Sequence, residues 1–167
     1  MNIVFIGMPG SGKSTVSSIV AENKNKTLIE IDSVIIEKLG MKLQKYIDMF
    51  GNQKFKEKEN EIIMNIIKNS NNSIISTPGS IIYYTDVMEY IKNNKNYTTI
   101  YLECPLSFIL ERTNNFKDRG VVLNKDDKNP FKTLYDERVP IYEKYYDFKV
   151  NSNKDLNNVI LSILQVI

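Results

Sequence analysis

The sequence predicts an α/β protein in which a parallel β-sheet is covered by helices on both faces. Short runs rich in β-branched residues alternate along the 167-residue chain with longer segments of helical spacing. This alternation is typical of consecutive β-α-β units. The short runs are also almost continuously apolar, as expected for strands that are buried on both sides. The prediction is therefore a three-layer sandwich with the sheet in the middle.

Five strands are predicted from the runs IVFI, TLIEI, IIS and TIYLE and from a short segment near the end of the chain. They lie at residues 2–6, 27–31, 73–77, 98–103 and 147–151. Eight helices are predicted between and after these strands, at residues 13–21, 33–39, 43–50, 53–68, 84–93, 106–112, 129–145 and 156–164. The fourth helix shows the pattern clearly, because Ile63, Ile66 and Ile67 recur on one helical stripe.

Residues 113–132 have a different character. They are polar, contain few apolar anchors and include Arg119 and Gly120. The segment is interpreted as a mobile loop or lid, and its charged run at 125–128 as ordinary solvated surface. The whole chain, 1–167, is expected to form one domain, since its length suits a single core that needs no disulfide.

Composition excludes several classes of function. The chain has no histidine, which removes Ser-His-Asp hydrolases and histidine-ligated zinc, and Cys104 has no cysteine partner. The formal charge is +2, from 22 Lys and Arg against 20 Asp and Glu, so neither nucleic acid nor a membrane is expected as a partner. No basic leader or long apolar run is present. We expect a cytoplasmic monomer that binds a small molecule.

A phosphate-binding loop follows the first predicted strand. The segment Gly7-Met-Pro-Gly-Ser-Gly-Lys-Ser14 fits the pattern G-x-x-x-x-G-K-[ST], and a predicted helix begins within it. Backbone N–H groups of such a P-loop surround phosphates, the lysine reaches the β and γ oxygens, and the hydroxyl binds Mg²⁺. The predicted ligands of ATP and Mg²⁺ are Gly10, Ser11, Gly12, Lys13, Ser14 and Thr15. A glycine turn without function is the alternative.

An acidic pair follows the second predicted strand. Glu30 and Asp32 would lie on the same side of an extended chain, at the sheet edge where α/β proteins bind ligands. One carboxylate there can orient a hydroxyl and accept its proton, while another serves Mg²⁺. The alternative is that Asp32 caps a helix beginning at Ser33.

Several segments together resemble a known family. GMPGSGKST, LIEIDSVIIE, GNQKFKEKE, STPGSIIY, DRGVVL and LYDERVPIYEKYYDF occur in the order and approximate spacing of shikimate kinases. The resemblance covers nearly the whole chain. It implies a nucleoside-monophosphate-kinase-like fold with strand order 2-3-1-4-5 and a lid that closes over ATP. It also implies transfer of the γ-phosphate of ATP to a hydroxyl of shikimate, a precursor of aromatic amino acids.

The resemblance also implies roles for individual residues. Asp32 matches the residue that positions the attacking hydroxyl, and Glu30 matches an aspartate on the metal side. Arg119 matches a lid arginine that reaches the phosphates and, with Asp32 and Lys13, completes the expected catalytic set. Arg112 resembles a residue that lies against adenine. The helices at about 33–68 are expected to bind the acceptor. The expected acceptor-binding residues are Asp32, Lys56, Gly79 and Arg138.

Four departures from the family pattern fall mainly on the acceptor side. Glu30 is longer than aspartate, and Lys56 stands where the family has an arginine able to bind a carboxylate through two parallel hydrogen bonds. Pro78 and Ser80 replace glycines on either side of Gly79. Two alternatives to shikimate phosphorylation therefore stay open: a kinase of the same fold for another small hydroxy acid or polyol, and an ATP-binding module without catalytic activity.

Overall fold

Five parallel strands form one sheet in a computed structural model of the protein, which describes residues 1–112 and 127–167. The strands are β1 (Asn2–Ile6), β2 (Thr27–Glu30), β3 (Ser73–Ser76), β4 (Tyr97–Glu103) and β5 (Phe148–Asn151). Their order across the sheet is β2-β3-β1-β4-β5, and every neighbouring pair is parallel. The parallel sheet predicted from the alternating pattern, and the strand order implied by the resemblance, are both confirmed.

Helices connect the strands and cover both faces of the sheet. Within the described ranges they are α1 (Lys13–Asn23), α2 (Ile31–Leu39), α3 (Leu43–Phe50), α4 (Asn52–Asn69), α5 (Thr85–Lys92), α6 (Leu106–Arg112), α7 (Pro130–Tyr142) and α8 (Leu156–Leu164), with a 3₁₀ turn at Ile81–Tyr83. Most of the predicted lid, including Arg119, lies outside the described residues. No described helix combines the length and the apolar character needed to span a bilayer.

The core is divided into two layers by the sheet. Side chains alternate along a strand, so Ile3 and Phe5 of β1 pack on one face while Val4 and Ile6 pack on the other. The first face is covered by apolar residues of α1 and α8, and the second by apolar residues of α2, α4, α5 and α7. All four of these β1 side chains are at most 1% exposed. Burial on both faces explains why the strands are so continuously apolar in sequence.

The boundary between β2 and α2 corrects the predicted position of the acidic pair. The strand ends at Glu30 and the helix begins at Ile31, so Asp32 lies in the first helical turn and not at the end of an extended chain. Glu30 occupies the N-cap position, so the alternative in which Asp32 caps the helix is also wrong. The helix starts early because Ile31 and Ile35, one turn apart, are both fully buried.

Because the strands are parallel, the loops that follow β1, β2 and β3 meet at one edge of the sheet. In register, Val4 of β1 lies opposite Ile75 of β3 and Thr99 of β4. Just beyond β3, Thr77 donates from its backbone N–H and its hydroxyl to the carbonyl oxygen of Phe5, at 3.3 and 2.7 Å. These bonds hold the turn after β3 beside the loop after β1.

Candidate active site

The loop after β1 has a backbone that requires glycine at two points. Gly7 has φ +147°, and a Cβ there would lie 2.7 Å from the carbonyl oxygen of Leu102. Gly12 has φ +93° and immediately precedes α1. Since L-residues rarely adopt such angles, this path is open only to glycine. The loop therefore ends at the N-terminus of α1, where backbone N–H groups and the helix dipole favour a phosphate.

Lys13 is held tightly against this loop. Lys13 is only 8% exposed, and its Nζ donates to the carbonyl oxygens of Gly7 and Met8 at 2.8 and 3.0 Å. The next residue, Ser14, is exposed. Lys13 and Ser14 both line the cleft at the N-terminus of α1.

One cleft of about 1440 Å³ opens over this loop and brings together the predicted ligands. Among its lining residues are all the predicted site residues that the structure describes: Gly10, Ser11, Gly12, Lys13, Ser14, Thr15, Glu30, Asp32, Lys56, Gly79, Arg112 and Arg138. The predicted Arg119 belongs to the segment that is not described. The cleft is larger than the 300–1,000 Å³ typical of a single small-ligand pocket, which suits two substrates bound side by side.

The metal side of the cleft offers hard oxygen donors. Glu30 accepts a hydrogen bond from the Ser17 hydroxyl at 3.3 Å, which ties the end of β2 to α1. Ser14, Glu30 and Asp32 all line the cleft. Within residues 1–112 and 127–167, no group of three or more His, Cys, Asp or Glu could hold a metal ion by itself. This donor set fits Mg²⁺, which is commonly bound through one or two protein oxygens together with substrate phosphates.

Arg112 lies on the nucleotide side. Its guanidinium is stacked on the ring of Phe108, with its central carbon 4.1 Å from the ring centroid. A Cβ built on Gly12 would be 3.8 Å from Arg112 Nη1, so the guanidinium borders the phosphate loop.

The acceptor side is formed by α4, α7 and the turn after β3. Arg138 is 7% exposed, whereas Lys56 is exposed to the cleft. Gly79 allows a close approach, because a Cβ there would lie 2.7 Å from Pro9 Cδ and 3.0 Å from Arg138 Nη1. Pro78, the residue before Gly79, is buried. The Arg138 guanidinium is therefore packed directly against the backbone of this turn.

Glu59 is a cleft residue that the sequence interpretation missed. It is 4% exposed and accepts hydrogen bonds from the Tyr84 hydroxyl and from the Ser80 hydroxyl, the latter at 3.3 Å. Burial raises the pKa of the Glu59 carboxyl to about 7; the Tyr84 hydrogen bond opposes this shift and the charge of Asp32 adds to it. A signal was present in the sequence, since Glu59 lies on the buried stripe of α4 one turn after Phe55.

The raised pKa of Glu59 predicts a pH-dependent stability. Between the ordinary glutamate value of 4.5 and about 7, the folded protein binds this proton more tightly than the unfolded chain does. The contribution of Glu59 to the free energy of unfolding therefore falls as pH rises through this window, by up to roughly 3 kcal/mol. We expect Glu59→Gln, which stays neutral, to gain stability relative to the wild type as pH rises.

Urea unfolding of both proteins at about pH 5 and about pH 8 measures this difference. Glu57→Gln is a matched control on the same helix, because Glu57 is exposed and bonds only to Gln53 among its described contacts. A stability difference between wild type and Glu59→Gln that stays constant with pH would contradict the assignment.

Tyr142 connects the phosphate loop with the turn after β3 through hydrogen bonds of its hydroxyl. Its hydroxyl lies 2.9 Å from the carbonyl oxygen of Gly7 and 2.7 Å from that of Gly79, and it is fully buried. Its ring is stacked on Tyr101, with 5.2 Å between centroids. Burial raises the pKa of Tyr142, so its hydroxyl keeps the proton that these carbonyl groups accept.

Comparisons with known proteins agree over almost the whole chain. The sequence model of a family described as shikimate kinase matches residues 9–167. A shikimate kinase from Clostridium botulinum (strain 657 / Type Ba4) is 34% identical over 155 residues, which cover 92% of this chain and 89% of that protein.

Two solved structures of shikimate kinases superimpose closely on this chain. The enzyme from Aquifex aeolicus vf5 gives a TM-score of 0.84 at 28% identity, covering 99% of this chain and 95% of that one. The enzyme from Acinetobacter baumannii, solved in complex with shikimate, also gives 0.84, at 25% identity, covering 99% of this chain and 91% of that one. The similarity in fold therefore covers almost the whole of this chain.

Proposed function

This chain belongs to the shikimate kinase family, and from that premise we propose that it transfers the γ-phosphoryl group of ATP to a hydroxyl group of shikimate. The observation that carries the proposal is the shared cleft: a complete phosphate loop and the acceptor residues Asp32 and Arg138 line one cavity. Membership of the family supplies the reaction class, and the cleft supplies a place for both substrates.

On the nucleotide side, the chain's own groups hold the phosphates. The N–H groups of the loop and the start of α1 would bind the β- and γ-phosphates of ATP, and the Lys13 ammonium would move from the carbonyl oxygens of Gly7 and Met8 to phosphate oxygens. Ser14 and Glu30 would hold Mg²⁺, which neutralises phosphate charge when bound. Arg119 is proposed to contact the phosphates on the strength of the family resemblance.

On the acceptor side, charge complementarity determines the orientation. Arg138 and Lys56 carry the positive charge that a small carboxylic acid requires, and Asp32 lines the same cleft from α2. The Asp32 carboxylate would align the acceptor hydroxyl and take its proton as the oxygen attacks the γ-phosphorus. The bond from that phosphorus to the β–γ bridging oxygen breaks, and ADP leaves with the electron pair.

The deciding measurement is ADP release from Mg-ATP by the purified protein, with and without shikimate. We expect strong stimulation by shikimate, because the positive charge of the acceptor side is retained despite Lys56 replacing an arginine. A panel of other hydroxy acids and polyols serves as the comparison. Stimulation only by one of those compounds would reassign the acceptor, and nucleotide binding without any stimulation would indicate a module that binds ATP without transferring phosphate.

A further inference from the structure

Tyr83 stands between two charged residues of α7 at the edge of the acceptor side. Its hydroxyl donates to Glu137 Oε1 at 2.8 Å and accepts from Arg138 Nε at 3.2 Å. The Arg138 guanidinium also lies over the Tyr83 ring, 5.1 Å from its centroid. All three residues line the cleft.

Donors and acceptors among Glu137, Tyr83 and Arg138 can be assigned in only one consistent way. A phenol carries one proton, and a carboxylate can only accept, so the proton points to Glu137. This leaves a lone pair of the Tyr83 oxygen for the Arg138 Nε–H. Burial raises the pKa of Tyr83, so the phenol stays neutral and keeps this arrangement at ordinary pH.

The consequence for Arg138 is a fixed guanidinium plane. Nε donates to the Tyr83 hydroxyl, the central carbon lies over the Tyr83 ring, and Nη1 lies against Gly79, where a Cβ would come within 3.0 Å. A guanidinium binds a carboxylate through two parallel hydrogen bonds only when its plane is correctly oriented. A held plane loses less side-chain entropy on binding than a free one.

We propose that Tyr83 is a positioning residue that orients Arg138 to bind the carboxylate of the acceptor. The inference rests on the proposed function, and it assigns the recognition of a planar acid to one pre-oriented arginine. The orientation of Arg138 matters more in this chain because the other cation of the acceptor side is Lys56. An ammonium is a point charge and does not match the planar geometry of a carboxylate as a guanidinium does. In this chain the pair formed by Tyr83 and Arg138 therefore supplies the geometry that two arginines would otherwise share.

The test is Tyr83→Phe in the full chain, which keeps the ring and removes the hydroxyl. With shikimate varied at saturating Mg-ATP, we expect the KM for shikimate to rise about three- to tenfold, the usual effect of losing one such hydrogen bond. The kcat and the KM for ATP should change by less than about twofold, because the hydroxyl supports binding in the ground state and transition state alike. Tyr90→Phe is the matched control, since Tyr90 lies outside the cleft.

A second arm separates positioning from general structural support. In an Arg138→Lys background the guanidinium Nε–H that Tyr83 accepts is absent. Adding Tyr83→Phe to this background should therefore cause no further fall in kcat/KM for shikimate. This ratio can be measured even when shikimate does not saturate the variant. An equal loss in both backgrounds, or an unchanged KM for shikimate in Tyr83→Phe, would overturn the inference. A wild-type protein that shikimate does not stimulate would instead overturn the proposed function, and this inference with it.

Discussion

Lys13→Ala is expected to lower kcat by about 10²–10³-fold or more, because the variant loses a buried cation that is proposed to stabilise transition-state charge. Lys13 is the only lysine of the phosphate loop and is 8% exposed, where its charge is poorly screened by water. The measurement is acceptor-dependent ADP release, compared with the wild type at equal protein concentration.

Two further variants make the Lys13 result interpretable. Lys13→Met keeps the aliphatic stem in the loop, so a similar loss of kcat in Lys13→Met assigns the effect to the charge and not to packing. Lys38→Ala removes an exposed lysine from the last turn of α2, away from the cleft, and should retain full activity. Near-normal turnover by Lys13→Met would contradict the role proposed for the ammonium.

Asp32→Asn is expected to lower kcat by about 10²–10⁴-fold, the usual contribution of a positioned general base. Asparagine keeps the shape of the side chain but cannot accept the hydroxyl proton. Asp32 is exposed in the first turn of α2, where a negative charge contributes about 0.3–1 kcal/mol to stability through the helix dipole, and Asp32→Asn should lose that contribution. Initial rates of ADP release and thermal unfolding measure the two effects separately.

Glu37→Gln provides the matched control for Asp32→Asn. Glu37 is an exposed carboxylate on the same helix but does not line the cleft, so its neutralisation should leave turnover unchanged. Retention of most activity by Asp32→Asn would show that another group aligns the acceptor hydroxyl.

The features that the sequence predicted well are those determined by local patterns. The phosphate loop is a contiguous motif, and its glycines are required by the backbone angles at Gly7 and Gly12. The strands were recognisable because both faces of the sheet are buried, which leaves nearly unbroken apolar runs. The strand order was different: it followed from the family resemblance, since no local pattern states which strands are neighbours.

The end of β2 shows where local patterns fail. The run TLIEI ends on the β-branched Ile31, so its pattern predicts a strand that ends there. In the structure Ile31 belongs to a helix, because its side chain packs with Ile35 one turn later. A buried isoleucine at that position is compatible with a strand and with a helix. Only the tertiary packing distinguishes the two.

The contacts around the acceptor side could not be predicted for another reason. Tyr83 meets Arg138 across 55 residues of sequence, and Tyr84 meets Glu59 across 25. Such pairs depend on how the turn after β3 is placed against α4 and α7, which sequence spacing does not encode. The anomaly of a glutamate on a buried helical stripe was visible in the sequence, but its partners were not.

The position of Tyr142 has a thermodynamic consequence for how the two substrates affect each other's affinity. One hydroxyl proton is shared between the carbonyl groups of Gly7, at the start of the nucleotide loop, and Gly79, in the acceptor turn. A ligand that shifts either carbonyl changes the hydrogen bond available to the other. Any resulting change in acceptor affinity caused by ATP must be matched by an equal change in ATP affinity caused by the acceptor, since linkage between two binding sites is reciprocal.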